Sequence, residues 1–193
     1  MRKLCHPLLF IFCIVLNFSI TRCSEYEEFD GVPIRQYATT VIGFSSQYNL
    51  NPPNWLAIQA LGKENVYDTS ETDFGYGDSG KAWSPRFEDT PREYLVLGFD
   101  TIQTVQVIEV YETWYPGAID TVYIRNAESE AWEIVYSKPA ATNLPDSARI
   151  FKVFLPLETT YLVDEVRIAL NSGAVEGWNE IDAVAISGKR RKE

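Results

Sequence analysis

Cysteine and histidine are missing from most of this sequence. Cys5, Cys13, Cys23 and the single His6 all precede Ser24, so the 170 residues that follow (193 less the first 23) contain neither. A chain of that length can bury enough apolar surface to fold without disulfide staples. The absence excludes thiol-protease and thioredoxin-like chemistry from the body, and it leaves a Ser-His-Asp triad or a histidine-rich zinc site without its base or ligand. Gly-Asp-Ser-Gly at 77–80 is therefore not a serine-protease site, and GYGDSGK lacks the spacing of a phosphate-binding loop.

Positive charge is also scarce. The whole chain carries a formal charge of -10, and after residue 23 there are 14 basic against 27 acidic side chains. A phosphate backbone demands the opposite field, so no nucleic-acid partner is expected. The run Lys189–Glu193 is the basic exception. It reads as a solvated tail, with a processing site or a contact to anionic matrix or lipid as the alternative.

Only one long apolar run occurs, Leu8–Leu16, preceded by Arg2 and Lys3. Residues 1–23 read as a secretory signal peptide cleaved after Thr21 or Cys23; adding Phe18 and Ile20 makes a signal anchor the alternative. Cleavage after Thr21 leaves Cys23 as one unpaired thiol. No integral membrane segment is expected once the leader is removed, and the body is expected to be secreted or, in the alternative, lumenal. It holds no Asn-X-Ser/Thr acceptor; Asn17-Phe18-Ser19 lies in the leader. Internal repeats, low-complexity segments and regular strand-helix alternation are absent too, which argues against a Rossmann-like fold.

What is present is a series of short β-branched and aromatic runs. The densest stretch is Gln103–Arg125, in which two strand-like runs flank the connection Glu112–Gly117. Val105, Val107, Ile108 and Val110 mark the first run, Val122 and Ile124 the second. Such a pair buries one face and needs a second sheet to cover it. Further strands are expected at Thr39–Phe44, Tyr94–Asp100, Trp132–Ser137, Arg149–Leu155, Val163–Leu170 and Ile181–Ile186. Val163–Leu170 alternates most clearly, with Val166, Ile168 and Leu170 opposite Glu165, Arg167 and Ala169. Arg149–Leu155 has apolar residues on both faces, which predicts partial cover for each.

Between these runs, Ser24–Arg35 reads as a mobile leader-side extension or an irregular edge, and Asn65–Gly80 as a surface loop. Ala82–Pro85 reads as a short edge strand. Trp55–Leu61 predicts a short helix, with Asn54 as cap and Gly62 as stop. The pattern as a whole predicts an all-β antiparallel jelly-roll sandwich with one short helix, spanning 37–188 between the 24–36 extension and the 189–193 tail. A rolled barrel is the alternative architecture.

Six blocks then carry a family resemblance: VIGFSSQY at 41–48, QALGKENVY at 59–67, YGDSGKAW at 76–83, EYLVLGF at 93–99, VYETWYPGAID at 110–120 and GWNEIDAVAISG at 177–188. Together they resemble the discoidin-like (F5/8 type C-like) galactose-binding jelly-roll domains. The nearest subgroup is the version found in an F-box and leucine-rich-repeat protein and in other eukaryotic proteins. The resemblance implies a sandwich whose loops at one end bind glycans, phospholipid headgroups or protein surfaces, in some relatives beside a structural calcium near the last strand. Here the terminal cysteines of many secreted relatives are missing, and Asp68–Tyr76 is longer than its usual counterpart.

Glycan recognition needs an aromatic face beside polar groups that orient hydroxyls. The ligand-binding candidates are Tyr67, Phe74, Tyr76, Asp78, Glu112, Trp114 and Tyr115, with Asn65 and Asp73 as further hydrogen-bonding groups. The competing reading is packing: Tyr115 on Pro116, and Trp114 or Tyr76 closing an end of the core. Trp55, Trp83, Trp132 and Trp178 are expected to be structural plugs. No cofactor is required; a structural calcium ion is an expectation near Asn65, Asp68, Asp78 and Glu180. The competing reading makes Glu180 and Asp182 an ordinary solvent face. The expected function is non-catalytic, with a glycan or an extracellular or cell-surface protein as partner. The remote alternative, a glycoside hydrolase, would use pairs such as Glu109 with Glu112 or Glu180 with Asp182.

Overall fold

A computed structural model of the chain describes residues 31–49, 52–66 and 74–192. The leader and its cleavage sites, Tyr67, Asp68 and Asp73 lie outside them. Among the described residues there are nine strands: β1 (Gly31–Tyr37), β2 (Thr40–Phe44), β3 (Glu93–Gln103), β4 (Val107–Trp114), β5 (Ile119–Asn126), β6 (Trp132–Ser137), β7 (Arg149–Phe154), β8 (Val163–Leu170) and β9 (Glu180–Arg191). They form two antiparallel sheets, of order β1-β9-β4-β7 and β2-β3-β8-β5-β6. This is the predicted all-β sandwich of jelly-roll type.

The alternation in β8 does what its pattern implies. Val166, Ile168 and Leu170 are fully buried, and they meet Leu95 and Leu97 of β3 and Val122 and Ile124 of β5 on one inner face. Ile108 and Val110 of β4, Phe151 and Val153 of β7 and Val184 and Ile186 of β9 form the facing layer. Each such side chain contributes about 1.5–3 kcal/mol on burial, so these rows supply most of the favourable term. On the outer side of β8, Arg167 lies over the rings of Tyr94 and Tyr123, 4.3 and 5.6 Å from their centroids.

Several expectations change. The two runs of Gln103–Arg125 are not partners: β4 belongs to the four-stranded sheet and β5 to the five-stranded one. Between them Tyr115 (φ 42°) and Gly117 (φ 116°) take left-handed conformations, and the Gly117 N–H donates to Glu112 Oε1 at 2.8 Å. That turn carries the chain across the core instead of reversing it within one sheet.

Residues 31–36 of the expected extension and 189–191 of the expected basic tail are strand. Gly31 pairs with Arg191 and Tyr37 with Ala185 along β1 and β9. Gly188 permits this path, because a Cβ there would lie 1.9 Å from the Thr104 carbonyl oxygen. The expected helix at 55–61 is one 3-10 turn, Ala57–Ala60, since its neighbours are tied to other segments. Ala82–Pro85 forms no strand of its own; Trp83 makes a single bridge to Ile181 and is fully buried.

On β7 only one face is covered. Phe151 and Val153 point inward while Ile150 and Phe154 stay exposed, Phe154 at 68%. Both β6 and β7 are edge strands, which is why their outward apolar residues find no neighbour in the sheet.

Candidate functional site

One end of the sandwich is built where β4 finishes and β9 begins. Trp114, the last residue of β4, is registered opposite Glu180, the first of β9, and two register shifts in β4 precede it. These irregularities re-aim the strand end, so Trp114 is half-buried at the rim while Glu112 is turned inward. A second wall comes from Trp55. Its backbone N–H donates to the Gly80 carbonyl at 3.0 Å and its own carbonyl accepts from the Ser84 N–H at 3.2 Å. Those ties hold Trp55 at φ 56° against its intrinsic preference. Gly80 has to be a glycine here, because a Cβ would sit 2.6 Å from the Asn54 side chain.

The result is a cleft of about 100 Å3. Tyr48, Trp55, Trp114 and Trp178 line it with aromatic surface, and Asp78, Glu180 and Ser84 with polar groups. Tyr48 meets Trp55 edge-on at 5.3 Å and Trp178 edge-on at 6.0 Å, so the three rings brace one another. Behind Trp114 stand Tyr76 at 4.7 Å and Tyr115 at 4.9 Å. Tyr115 in turn rests on Gly177, and the Asn179 side-chain amide donates to its carbonyl at 2.7 Å.

At the floor, Glu180 is 2% exposed. Trp55 Nε1 donates to Glu180 Oε1 and to Asp78 Oδ1, 3.0 Å in each case. The Ser79 N–H and the Thr113 hydroxyl donate to Glu180 Oε2 at 3.1 and 3.3 Å. Burial, reinforced by the neighbouring Asp78 carboxyl hydrogen-bonded to it, pushes Glu180 up to about 9. Two further polar atoms of the lining residues, Ser84 Oγ and Trp178 Nε1, are buried and have no hydrogen-bond partner. Such groups are uncommon in folded proteins and mark a place where a ligand or water completes the bonding.

The sequence candidates divide accordingly. Asp78 and Trp114 reach the cleft, and Tyr76 and Tyr115 support Trp114 from behind. Phe74 instead packs edge-on against Tyr111 at 5.1 Å. Glu112 is 3% exposed and bonded to the Gly117 N–H, and it does not line the cleft. Tyr67 lies outside the described residues. Two tryptophans expected to be plugs, Trp55 and Trp178, are cleft walls, while Trp132 is 42% exposed on β6; Trp83 is the plug. Trp55 and Trp178 were overlooked because nothing in NPPNW or GWNE separates a ring that seals a core from one that borders an opening. Their signal was position: each sits in a connection, next to turn-forming residues.

The acidic set expected around calcium meets in two places. Asp78 joins Glu180, whereas Asn65 and Val66 donate their backbone N–H groups to Asp182 Oδ2 at 2.8 and 3.1 Å. Asp182 is fully buried rather than on a solvent face. Both Glu180 oxygens accept protein donors, and Asp68 of the expected set lies outside the described residues. Among the described residues no three His, Cys, Asp or Glu side chains gather as metal ligands. The carboxyl pairs proposed for hydrolysis are equally altered. Glu109 is bridged by Arg35 and Lys152, each at 2.7 Å, on the outer face. Glu180 accepts from the Trp55 indole and the Ser79 N–H, whereas Asp182 accepts from the Asn65 and Val66 N–H groups, so these two carboxyls are held by different segments.

This is the fold of the discoidin-like and carbohydrate-binding jelly-roll modules. No family model matches the chain. It is 27% identical over 182 residues to F-box/LRR-repeat protein 4 of Bos taurus, covering 81% of this chain and 29% of that protein. The chain thus spans less than a third of that relative. Among solved structures it is similar to a chain of reduced XRCC1 bound to the DNA polymerase β catalytic domain, with TM-score 0.56 and 12% identity, covering 79% of this chain and 97% of the other. It is also similar to the family 32 carbohydrate-binding module of Clostridium perfringens NanJ in complex with galactose, with TM-score 0.51 and 14% identity, covering 80% and 99%. One structure holds a protein and the other a sugar, so the shared fold does not choose between them.

Proposed function

We propose that this chain is a non-catalytic, exported binding module that takes the end of a glycan in the cleft between Trp55, Trp114 and Trp178. The observation that carries the reading is the composition of that cleft: aromatic walls beside buried polar groups, two of them without a protein partner. Aromatic faces accept the C–H side of a sugar ring, and the polar groups orient its hydroxyls. A cleft of about 100 Å3 takes one edge of a ring, with the remainder of the glycan outside. The XRCC1-like and galactose-bound structures are compatible with binding as the task of this fold. No helix among the described residues is long and apolar enough to cross a membrane; export itself rests on the leader sequence.

A glycan array followed by calorimetry tests the reading. The wild-type chain is expected to retain a defined set of sugars, and Trp114→Ala to lose at least about tenfold in affinity with an unchanged unfolding midpoint. A blank array, or a Trp114→Ala variant that binds as well as wild type, overturns it. A second reading, adhesion to a protein, is favoured by the groove at the edge of β6, where Ile134 and Leu157 stand 56% and 66% exposed. Charged substitutions at those two positions are expected to leave sugar binding unchanged and would abolish such an adhesion.

A further inference from the structure

The chemistry of the cleft specifies more than an unspecified sugar. Asp78 at its mouth and Glu180 at its floor present two carboxyls, and the groups that donate to them are neutral: the Trp55 indole, the Ser79 N–H and the Thr113 hydroxyl. Around this pair stand the rings of Tyr48, Trp55, Trp114 and Trp178. The Asp78 carboxyl at the mouth, backed by Glu180 and bordered by π faces, makes an environment that attracts a cation, and the surrounding chain, with its net charge of -10, does not oppose one. The lining residues Trp178 and Ser84 add an unpaired N–H donor and an unpaired hydroxyl, Ser84 being only 1% exposed. An ammonium alone brings a positive charge to the carboxyls, whose present donors are all neutral, and leaves the Trp178 N–H without an acceptor. A ligand bearing an oxygen next to its amine satisfies all of them. The volume of about 100 Å3 corresponds to roughly three waters, which suits an amine-bearing carbon with its neighbouring hydroxyl.

We propose that the cleft selects an amino sugar with a free, protonated amine: the ammonium between Asp78 and Glu180, an adjacent ring oxygen or hydroxyl on Trp178 Nε1 and Ser84 Oγ, and a ring face on Trp114. This rests on the glycan-binding reading and sharpens it. A lysine side chain carries only methylenes beside its ammonium and leaves the indole and the hydroxyl unpaired. An N-acetylated sugar removes the charge that the carboxyl pair is built to meet.

The test is calorimetry of the full chain against glucosamine oligosaccharides, their fully N-acetylated counterparts, galactose and a lysine-rich peptide, all at one pH and ionic strength. Glucosamine oligosaccharides are expected to bind about tenfold or more tightly than the N-acetylated forms, as loss of a charge-assisted hydrogen bond implies. Asp78→Asn, at an exposed position, is expected to erase that preference with the fold intact. Glu128→Gln, at the far end of the sandwich, is expected to leave it unchanged. Equal or tighter binding of N-acetylated sugar or galactose overturns the amine selectivity and keeps the glycan reading. Failure of every sugar overturns both. Binding of the lysine-rich peptide as tightly as the amino sugar, or an undiminished preference in Asp78→Asn, also overturns the proposal.

Discussion

Glu112 offers the sharpest test of the structure. Its carboxyl is 3% exposed, at the inner end of β4. Oε1 accepts the Gly117 N–H at 2.8 Å, but Oε2 has no hydrogen-bond partner, and the nearest cation, Arg149 Nη1, stands off at 3.5 Å. Burial pushes this carboxyl from 4.5 up to about 7, against the smaller opposing pulls of the Gly117 N–H and Arg149. A carboxyl raised on folding favours the protonated native state. Its contribution is therefore complete below about pH 4.5 and is lost as pH rises through about 7. At about 1.4 kcal/mol for each pH unit in that window, the loss amounts to about 3 kcal/mol.

Glu112→Gln keeps the oxygen that Gly117 uses and removes the charge. Urea unfolding of both proteins at pH 4.5 and pH 8 supplies the comparison. The stability difference between variant and wild type is expected to move by about 3 kcal/mol in favour of the variant over that range. Glu180 and Asp182, whose carboxyls burial also raises, titrate in both proteins and cancel in the difference. A difference that stays within about 0.5 kcal/mol would refute the reasoning, because Arg149 would then be compensating the carboxylate fully.

Trp83→Ala should cost about 3–5 kcal/mol, read by thermal or urea unfolding, because the ring is fully buried and its indole donates to the Ser46 carbonyl at 3.1 Å. Gly188→Ala should cost about 1–3 kcal/mol or more, since its Cβ would meet the Thr104 carbonyl, a backbone atom that cannot step aside; wild-type stability would mean that β9 does not pass so near. Gly177→Ala, at φ 94° and with its Cβ 2.6 Å from the Tyr115 ring, should cost about 1–2 kcal/mol and weaken sugar binding severalfold by displacing the support of Trp114. Calorimetry on the folded variant separates that binding effect from the loss of stability.

Local residue pattern alone was enough for the all-β class and for most of the strands. Alternation is a local record of burial: Val166, Ile168 and Leu170 must share a side because their backbone is extended, whatever strand lies next to them. Glycine and proline were poorer guides, since β1 contains Pro33 and β9 runs through Gly188. Which strand lies next is a different matter. The patterns of β4 and β5 were equally compatible with pairing and with separation into two sheets, and only the left-handed turn at Tyr115 and Gly117 decided it.

The same holds for Val32, Ile34 and the basic residues 189–191, whose pairing across the two ends of the chain leaves no local mark. The cleft depends on such long-range choices most of all. Its residues run from Tyr48 to Glu180, and Asp78 and Trp114 were recognisable as aromatic-and-acid chemistry without any indication that they meet. Trp55, Trp83 and Trp178 are chemically identical side chains in similar company. Tertiary structure made one a plug and two the walls of an opening, because the distinction is set by which segments pack against each ring and not by the residues beside it in sequence.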